Sequence, residues 1–186
     1  MGGIFQMGRD KGVLTVIDVQ GALVKAMDPR VVSQVIRNVQ VLITFAKDMG
    51  IPILVTEQYP KGLGGTIPEI KETLEEILPI EKMAFSCCNV DVFNERLTHL
   101  GRKQILLCGM EAHVCVLQTT ADLLERGYDV HVVADAICSR RKLDWDLGLR
   151  WMEKKGAMIL STEIIAFQLL KEAGTDEFKR LSRFLR

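Results

Sequence analysis

The sequence predicts a three-layer α/β/α fold, built on a Rossmann-like, doubly wound, mainly parallel sheet of about six strands. Two observations predict it. Short, near-continuous apolar blocks recur along the chain, the pattern of strands buried on both faces. Between them apolar residues recur at helical spacing and stop at glycines, so that strand, helix and glycine alternate in βα order. The strand blocks are Val13–Ile17, Pro52–Val55, Gln104–Cys108, Val130–Ala134 and Ala157–Leu160, with a shorter sixth near Leu78–Lys82.

The first helical stripe is Val32, Val35, Ile36, Val39, Leu42, Ile43 and Ala46, closed by Gly50. Val114, Leu117, Ala121 and Leu124 make a second, closed by Gly127, within an expected helix over Val114–Arg126. Leu147, Leu149, Trp151 and Met152 make a third, closed by Gly156. Two C-terminal helices, Glu163–Glu172 and Asp176–Leu185, are expected to pack on the outside. The long interruption Thr56–Val90 carries Gly62–Leu63–Gly64–Gly65 and an expected helix at Pro68–Leu78. No phosphate-loop spacing accompanies those glycines, so they read as a flexible lid over the carboxyl edge of the sheet.

The 186 residues suffice for one domain, 1–186, with a real core. Twenty-four basic residues balance twenty-four acidic ones, leaving no field to attract nucleic acid or a membrane surface. No apolar block approaches the roughly 20 residues of a membrane helix. Met1–Lys11 has no long apolar stretch of the secretory kind. Five cysteines, an odd number without a C-x-x-C pair, fit a reduced, cytoplasmic chain, with mitochondrial or peroxisomal residence left open. A small-molecule substrate suits this composition best. Cys87–Cys88 reads as two small buried thiols.

In an open α/β sheet ligands bind beyond the carboxyl ends of the strands. There the sequence places Asp18, Val19 and Gln20; Thr56, Glu57 and Gln58; Lys82; the run Gly109–Met110–Glu111–Ala112–His113–Val114–Cys115; Asp135; and Ser161, Thr162 and Glu163. Cys115 in the first turn of a helix is expected to have a lowered pKa, because N–H groups and the helix dipole favour a thiolate. A buried, inert thiol is the competing reading. Asp18 reads as a general base or as a helix cap, and Lys82 carries little meaning alone. His113 points away from Cys115 at this spacing and reads as structural. Trp145 and Trp151 read as core or interface residues, and Phe167 and Leu170 as a core face or a dimer contact.

Taken together, these segments resemble the isochorismatase-like cysteine hydrolase superfamily, and within it the isochorismatase-domain-containing proteins. The matching stretches are Thr15–Gln20, Ile80–Ser86, Cys108–Val116 and Val132–Ala136, with Thr56–Gly64 pointing to the narrower group. The resemblance implies an Asp18, Lys82, Cys115 triad. It implies a cis peptide at Met110–Glu111, with the Glu111 and Cys115 N–H groups forming an oxyanion hole. Gln20, Gln58, Tyr59 and Phe85 would line the substrate pocket. It implies hydrolysis of a small amide or related C–N substrate through a thioester, no cofactor, and a homo-oligomer, dimer or higher. Two departures sharpen it. The metal-binding Asp and histidines of nicotinamidases are missing after the second strand, which reads Glu57–Gln58–Tyr59–Pro60, so no metal is expected. A nucleophilic Cys115 speaks against the vinyl-ether chemistry of true isochorismatases. A scaffold or redox-sensing protein with a vestigial triad is the alternative.

Overall fold

A computed structural model describes residues 6–185; Met1–Phe5, the start of the stretch read for a leader, and Arg186 lie outside the described residues. Six strands form one sheet: β1 (Gly12–Ile17), β2 (Ile53–Gln58), β3 (Ile80–Lys82), β4 (Gln104–Met110), β5 (Asp129–Cys138) and β6 (Met158–Leu160). Their order is β3-β2-β1-β4-β5-β6 and every pairing is parallel. The helices are α1 (Gly21–Ala26), α2 (Pro29–Asp48), α3 (Pro60–Leu63), α4 (Pro68–Leu74), α5 (Asp91–Leu100), α6 (Leu117–Glu125), α7 (Lys142–Lys154), α8 (Thr162–Leu170) and α9 (Asp176–Leu181).

The two faces of the sheet hold separate cores. On one, Val32, Val35, Val39, Leu42 and Ile43 of α2 pack with Ile70 and Leu74 of α4 and Ile165 and Leu169 of α8 against Leu14, Val16 and Leu106. On the other, Phe93 and Leu97 of α5, Leu123 of α6 and Met152 of α7 cover Val13, Ile17, Ile105 and Leu107. β1 lies in the middle with no exposed residue, which is why its sequence is apolar throughout apart from Thr15. Each large apolar side chain buried this way contributes about 1.5–3 kcal/mol. The start of α2 is fixed by Pro29 and by Asp28, whose side chain accepts a hydrogen bond from the Arg30 N–H; Gly50 at φ +66° turns the chain into β2.

Several boundaries differ from the sequence reading. β2 runs on through Thr56, Glu57 and Gln58, and β4 and β5 extend to Met110 and Cys138. Polar strand ends were missed because an apolar block stops where the site begins. The helix after Pro68 stops at Leu74, where Glu75 takes φ +59°. Thr162 starts α8 and Leu181 ends α9, followed by a tight turn over Ser182–Leu185. α1, α3 and α5 were not read as helices: α1 and α3 bury no residue and α5 only Phe93 and Leu97, so their apolar signal is thin. Leu170 is core, whereas Phe167 is half exposed and its ring meets Phe178 with centroids 6.4 Å apart.

The glycine-rich stretch is anchored in this structure rather than a loose flap. Glu57 Oε1 accepts from the Thr66 N–H and hydroxyl at 2.7 Å each, Gln20 Nε2 donates to the Gly64 carbonyl, and the Ile67 N–H donates to Val19 O.

Candidate active site

Four neighbouring strand ends deliver the site. β1 stops at Ile17, and Asp18 takes φ +52°, uncommon for a non-glycine residue although Asp tolerates it better than most. Its N–H donates to the Thr56 carbonyl and the Thr56 hydroxyl donates to Asp18 Oδ1 at 2.7 Å. Thr56 can do so because β2 pairs it with Ile17.

Lys82, the last residue of β3, puts Nζ 2.6 Å from Asp18 Oδ2, and neither side chain is exposed. The same Nζ donates to Gln58 Oε1 at 2.8 Å and to the Phe85 and Ala84 carbonyls at 3.0 and 3.3 Å. Every proton of the ammonium therefore has an acceptor. Burial works against this charge, but the Asp18 carboxylate and the nearby Cys115 and Cys87 thiols outweigh it, and the Lys82 pKa is raised. Such a pair is costly to break from one side, by about 3–5 kcal/mol, because the remaining charge is stranded.

Cys115 is 5% exposed and its thiol lies within range of both Asp18 and Lys82. It does not occupy the first turn of a regular helix. Ala112–Val116 form a π-type turn, and α6 begins only at Leu117. The expected depression of its pKa is reversed: burial, then the Asp18 charge, push the thiol up to about 12, with Lys82 pulling the other way. Desolvation and the Asp18 charge outweigh Lys82, which favours a neutral thiol beside an ion pair.

Backbone closeness shapes the approach to Cys115. Gly109 has φ +114°, and a Cβ there would lie 1.9 Å from the Ile17 carbonyl oxygen, so β4 can pass this close to β1 only with glycine. The peptide bond Met110–Glu111 is cis. The Glu111 carboxylate accepts from the Arg140 N–H and Nε at 3.1 and 3.0 Å. His113 Nδ1 is 2.9 Å from Ser139 Oγ. The loop between β5 and α7 thus holds the Glu111–Cys115 turn at two points.

The four residues expected to line a pocket divide into two kinds. Gln20 Nε2 donates to the Gln58 and Gly64 carbonyls and its Oε1 accepts from the Gln58 N–H, while Gln58 Oε1 accepts from Lys82 Nζ and its Nε2 donates to the Met83 carbonyl. They are scaffold in this structure. Tyr59 and Phe85 are 45% and 52% exposed and stand at the surface near Lys82. Thr56, which the sequence reading placed at the rim without a role, and Arg140, which it did not name, shape the site. Thr56 was legible in principle, as a hydroxyl at a strand end; Arg140 was not, being distant in sequence from Glu111. All five cysteines are free and buried. Among the described residues no group of three or more His, Cys, Asp or Glu side chains could hold a metal ion.

The comparisons with known proteins agree with this architecture. The model of the "Isochorismatase domain" family matches residues 13–164. The chain belongs to the isochorismatase family. Among relatives of this isochorismatase-family chain, the secreted isochorismatase effector Isc1 of Phytophthora sojae is 41% identical over 82% of this chain and 74% of its own. Isochorismatase domain-containing protein 2 of Xenopus laevis is 35% identical over 98% of this chain and 87% of its own. Among solved structures, the MAR1 ribonuclease of Caenorhabditis elegans superposes with a TM-score of 0.90 at 36% identity, over 97% of this chain and 92% of that one. Among the described residues no helix is long and apolar enough to cross a membrane.

Proposed function

We propose that this isochorismatase-family chain is a one-domain cysteine hydrolase that cleaves a small amide or related C–N substrate through Asp18, Lys82 and Cys115. The observation that carries the reading is the fully buried Asp18–Lys82 ion pair abutting the Cys115 thiol. A raised thiol pKa needs a base at the moment of attack, and Asp18 is the group in place. Asp18 takes the thiol proton as sulfur bonds to the carbonyl carbon. The oxygen of that carbonyl gains the charge, and the Glu111 and Cys115 N–H groups receive it. As the tetrahedral adduct collapses, the C–N bond breaks and the proton on Asp18 passes to the leaving nitrogen. Water, deprotonated by Asp18, then attacks the thioester; the C–S bond breaks and the thiol is restored with release of the acid. Lys82 keeps its proton throughout and holds Asp18 in position. This scheme calls for no cofactor or metal.

The near-complete burial of Cys115 supports a small substrate over a polymer. The name of the nematode neighbour makes RNA the compound to test against. Five free thiols suit a reducing compartment, and the cytoplasm is the proposed one. The test is a screen of small amides and ureido compounds, with a short RNA in parallel. Wild type turns over an amide, and Cys115→Ala loses at least about a thousandfold in rate with an unchanged melting temperature. Turnover that persists in the Ala variant sinks the scheme. RNA cleavage that depends on Cys115, with no amide turned over, replaces it with a nuclease.

A further inference from the structure

A separate concavity adjoins the turn that carries Cys115. It is a cleft of about 530 Å³ between the N-terminal halves of α2 and α7, floored by the end of β5. Asp18, Lys82 and Cys115 are not among the residues that line it. The volume falls within the range of small-molecule sites. Its walls are largely apolar, with Val31 and Val35 from α2, Ile137 from β5 and Trp145 from α7.

Among the described residues four charged side chains border the cleft, and they are unequally committed. Asp28 accepts from the Arg30 N–H at 2.9 Å and pairs with its guanidinium at 3.5 Å. Asp135 Oδ1 accepts from the Thr162 N–H and hydroxyl at 2.8 and 2.9 Å. The two bases have donors to spare. Arg140 uses its N–H and Nε on Glu111, and among the described residues nothing accepts from its Nη groups or from Lys142 Nζ. A single unpaired lysine at a surface means little. Here two cations with unused donors border a concave apolar wall that includes a half-buried tryptophan. An apolar bed with a cationic end is complementary to an amphipathic anion.

We propose that this cleft binds a small monocarboxylate with an apolar tail, an aryl- or branched alkanoate, and that the bound acid steadies the Cys115 turn. The carboxylate accepts from Lys142 Nζ and from the Nη edge of Arg140, leaving Arg140 Nε on Glu111. The hydrocarbon lies against Trp145, Val31 and Val35. Coupling follows from three consecutive residues that serve cleft and turn alike. Cys138 pairs with Met110 across the sheet, Ser139 Oγ meets His113 Nδ1 at 2.9 Å, and Arg140 holds Glu111; all three line the cleft. The Arg140 side chain is 58% exposed, and an acid on its second edge fixes it, so the turn it braces opens less often. Neither the binding nor the coupling depends on the hydrolytic scheme.

Calorimetric titration of the full chain with 3-phenylpropanoate tests this, with 3-phenylpropanol and acetate as probes that each lack one half of the ligand. The expected result is one site whose affinity falls as salt rises, with the alcohol and acetate at least about tenfold weaker. Val31→Asp and Lys142→Glu each weaken binding at least about tenfold; both stand in the first turn of a helix, where an acid is tolerated, so the melting temperature holds. Cys115→Ala binds as wild type does. Saturating acid slows iodoacetamide alkylation of Cys115 at least about twofold, without effect on Cys88, and the slowing disappears in Lys142→Glu. Absence of binding up to tens of millimolar overturns the proposal. So does binding that Cys115→Ala abolishes, or that both charge variants leave intact, since either places the acid elsewhere. Binding in the cleft with Cys115 alkylation unchanged overturns the coupling.

Discussion

Replacing Asp18 by Asn separates two effects of the same carboxylate. As a charge it opposes the Cys115 thiolate; as a base it is what the proposed reaction needs. Burial and Asp18 together raise the thiol from an ordinary 9.0 to about 12. At pH 8 that takes the thiolate from about one in ten to about one in ten thousand, and alkylation by iodoacetamide slows by about a thousandfold. Unit charges 4 Å apart interact by about 4 kcal/mol at an effective dielectric of 20, and about 1.4 kcal/mol is one pKa unit. Removing the carboxylate while Lys82 stays should therefore speed alkylation of Cys115 at pH 8 by at least about tenfold. Lys82→Met should slow it, because the one cation favouring the thiolate is gone. Peptide-level mass spectrometry from pH 6 to 11 reads each cysteine separately. Cys88 and Cys138, both held at about 12 by burial and touched by neither Asp18 nor Lys82, serve as internal standards. Turnover moves the opposite way, with Asp18→Asn alkylated faster yet hydrolytically dead. An unchanged or slower Cys115 alkylation in Asp18→Asn, with the fold intact, would refute the electrostatic account of the site.

Three further perturbations reach other parts of the structure. His131 is fully buried on β5, neither ring nitrogen has a hydrogen-bond partner, and burial lowers its pKa from 6.5 to about 4. Folding favours the neutral ring, so this stability is complete above pH 6.5 and drains away as the pH falls toward 4. The loss is about 3 kcal/mol, and urea unfolding of His131→Leu at pH 7 and 4.5 should show it abolished at no cost at pH 7. Gly109→Ala drives a methyl into the Ile17 carbonyl and should cost at least about 3 kcal/mol, seen as lost soluble protein or a collapsed melting temperature. Arg140→Ala frees the Glu111 carboxylate. Since the Arg140 side chain is 58% exposed, stability should fall by less than about 1 kcal/mol, while the turnover rate drops more than KM rises as the Glu111–Cys115 turn loosens.

The sheet was legible because a strand buried on both faces must be apolar, and every strand but β3 has such a block; β3, at the edge, reads Ile-Glu-Lys. Its polar ends were not. Thr56, Glu57 and Gln58 are strand residues whose side chains face Asp18, Thr66 and Lys82, and no periodicity rule assigns a buried glutamate to a strand. Asp18, Lys82 and Cys115 were readable as strand-end positions, and the structure brings all three together. The ionisation of Cys115 was misread, since position along a helix is visible in a sequence and desolvation is not. The same gap explains Gln20 and Gln58: polar residues at a rim look like ligands for a substrate, and here main chain and Lys82 take up their amides. The short helices escaped notice because a helix that buries little writes little pattern.

The central seam between β1 and β4 also divides the chemistry. Everything N-terminal to it in the sheet, β1 to β3, carries the charged pair with Thr56 and Gln58; everything beyond it, β4 to β6, carries the thiol and the loop that braces it. The chain crosses between these halves once, along α5 and the Gly101–Lys103 turn. The proposed nucleophile and base therefore belong to two contiguous stretches of polypeptide that meet only when β1 and β4 zip together. Cut at that crossing, the protein becomes a two-piece complementation system in which neither fragment holds a complete site, and the appearance of turnover reports the seam closing.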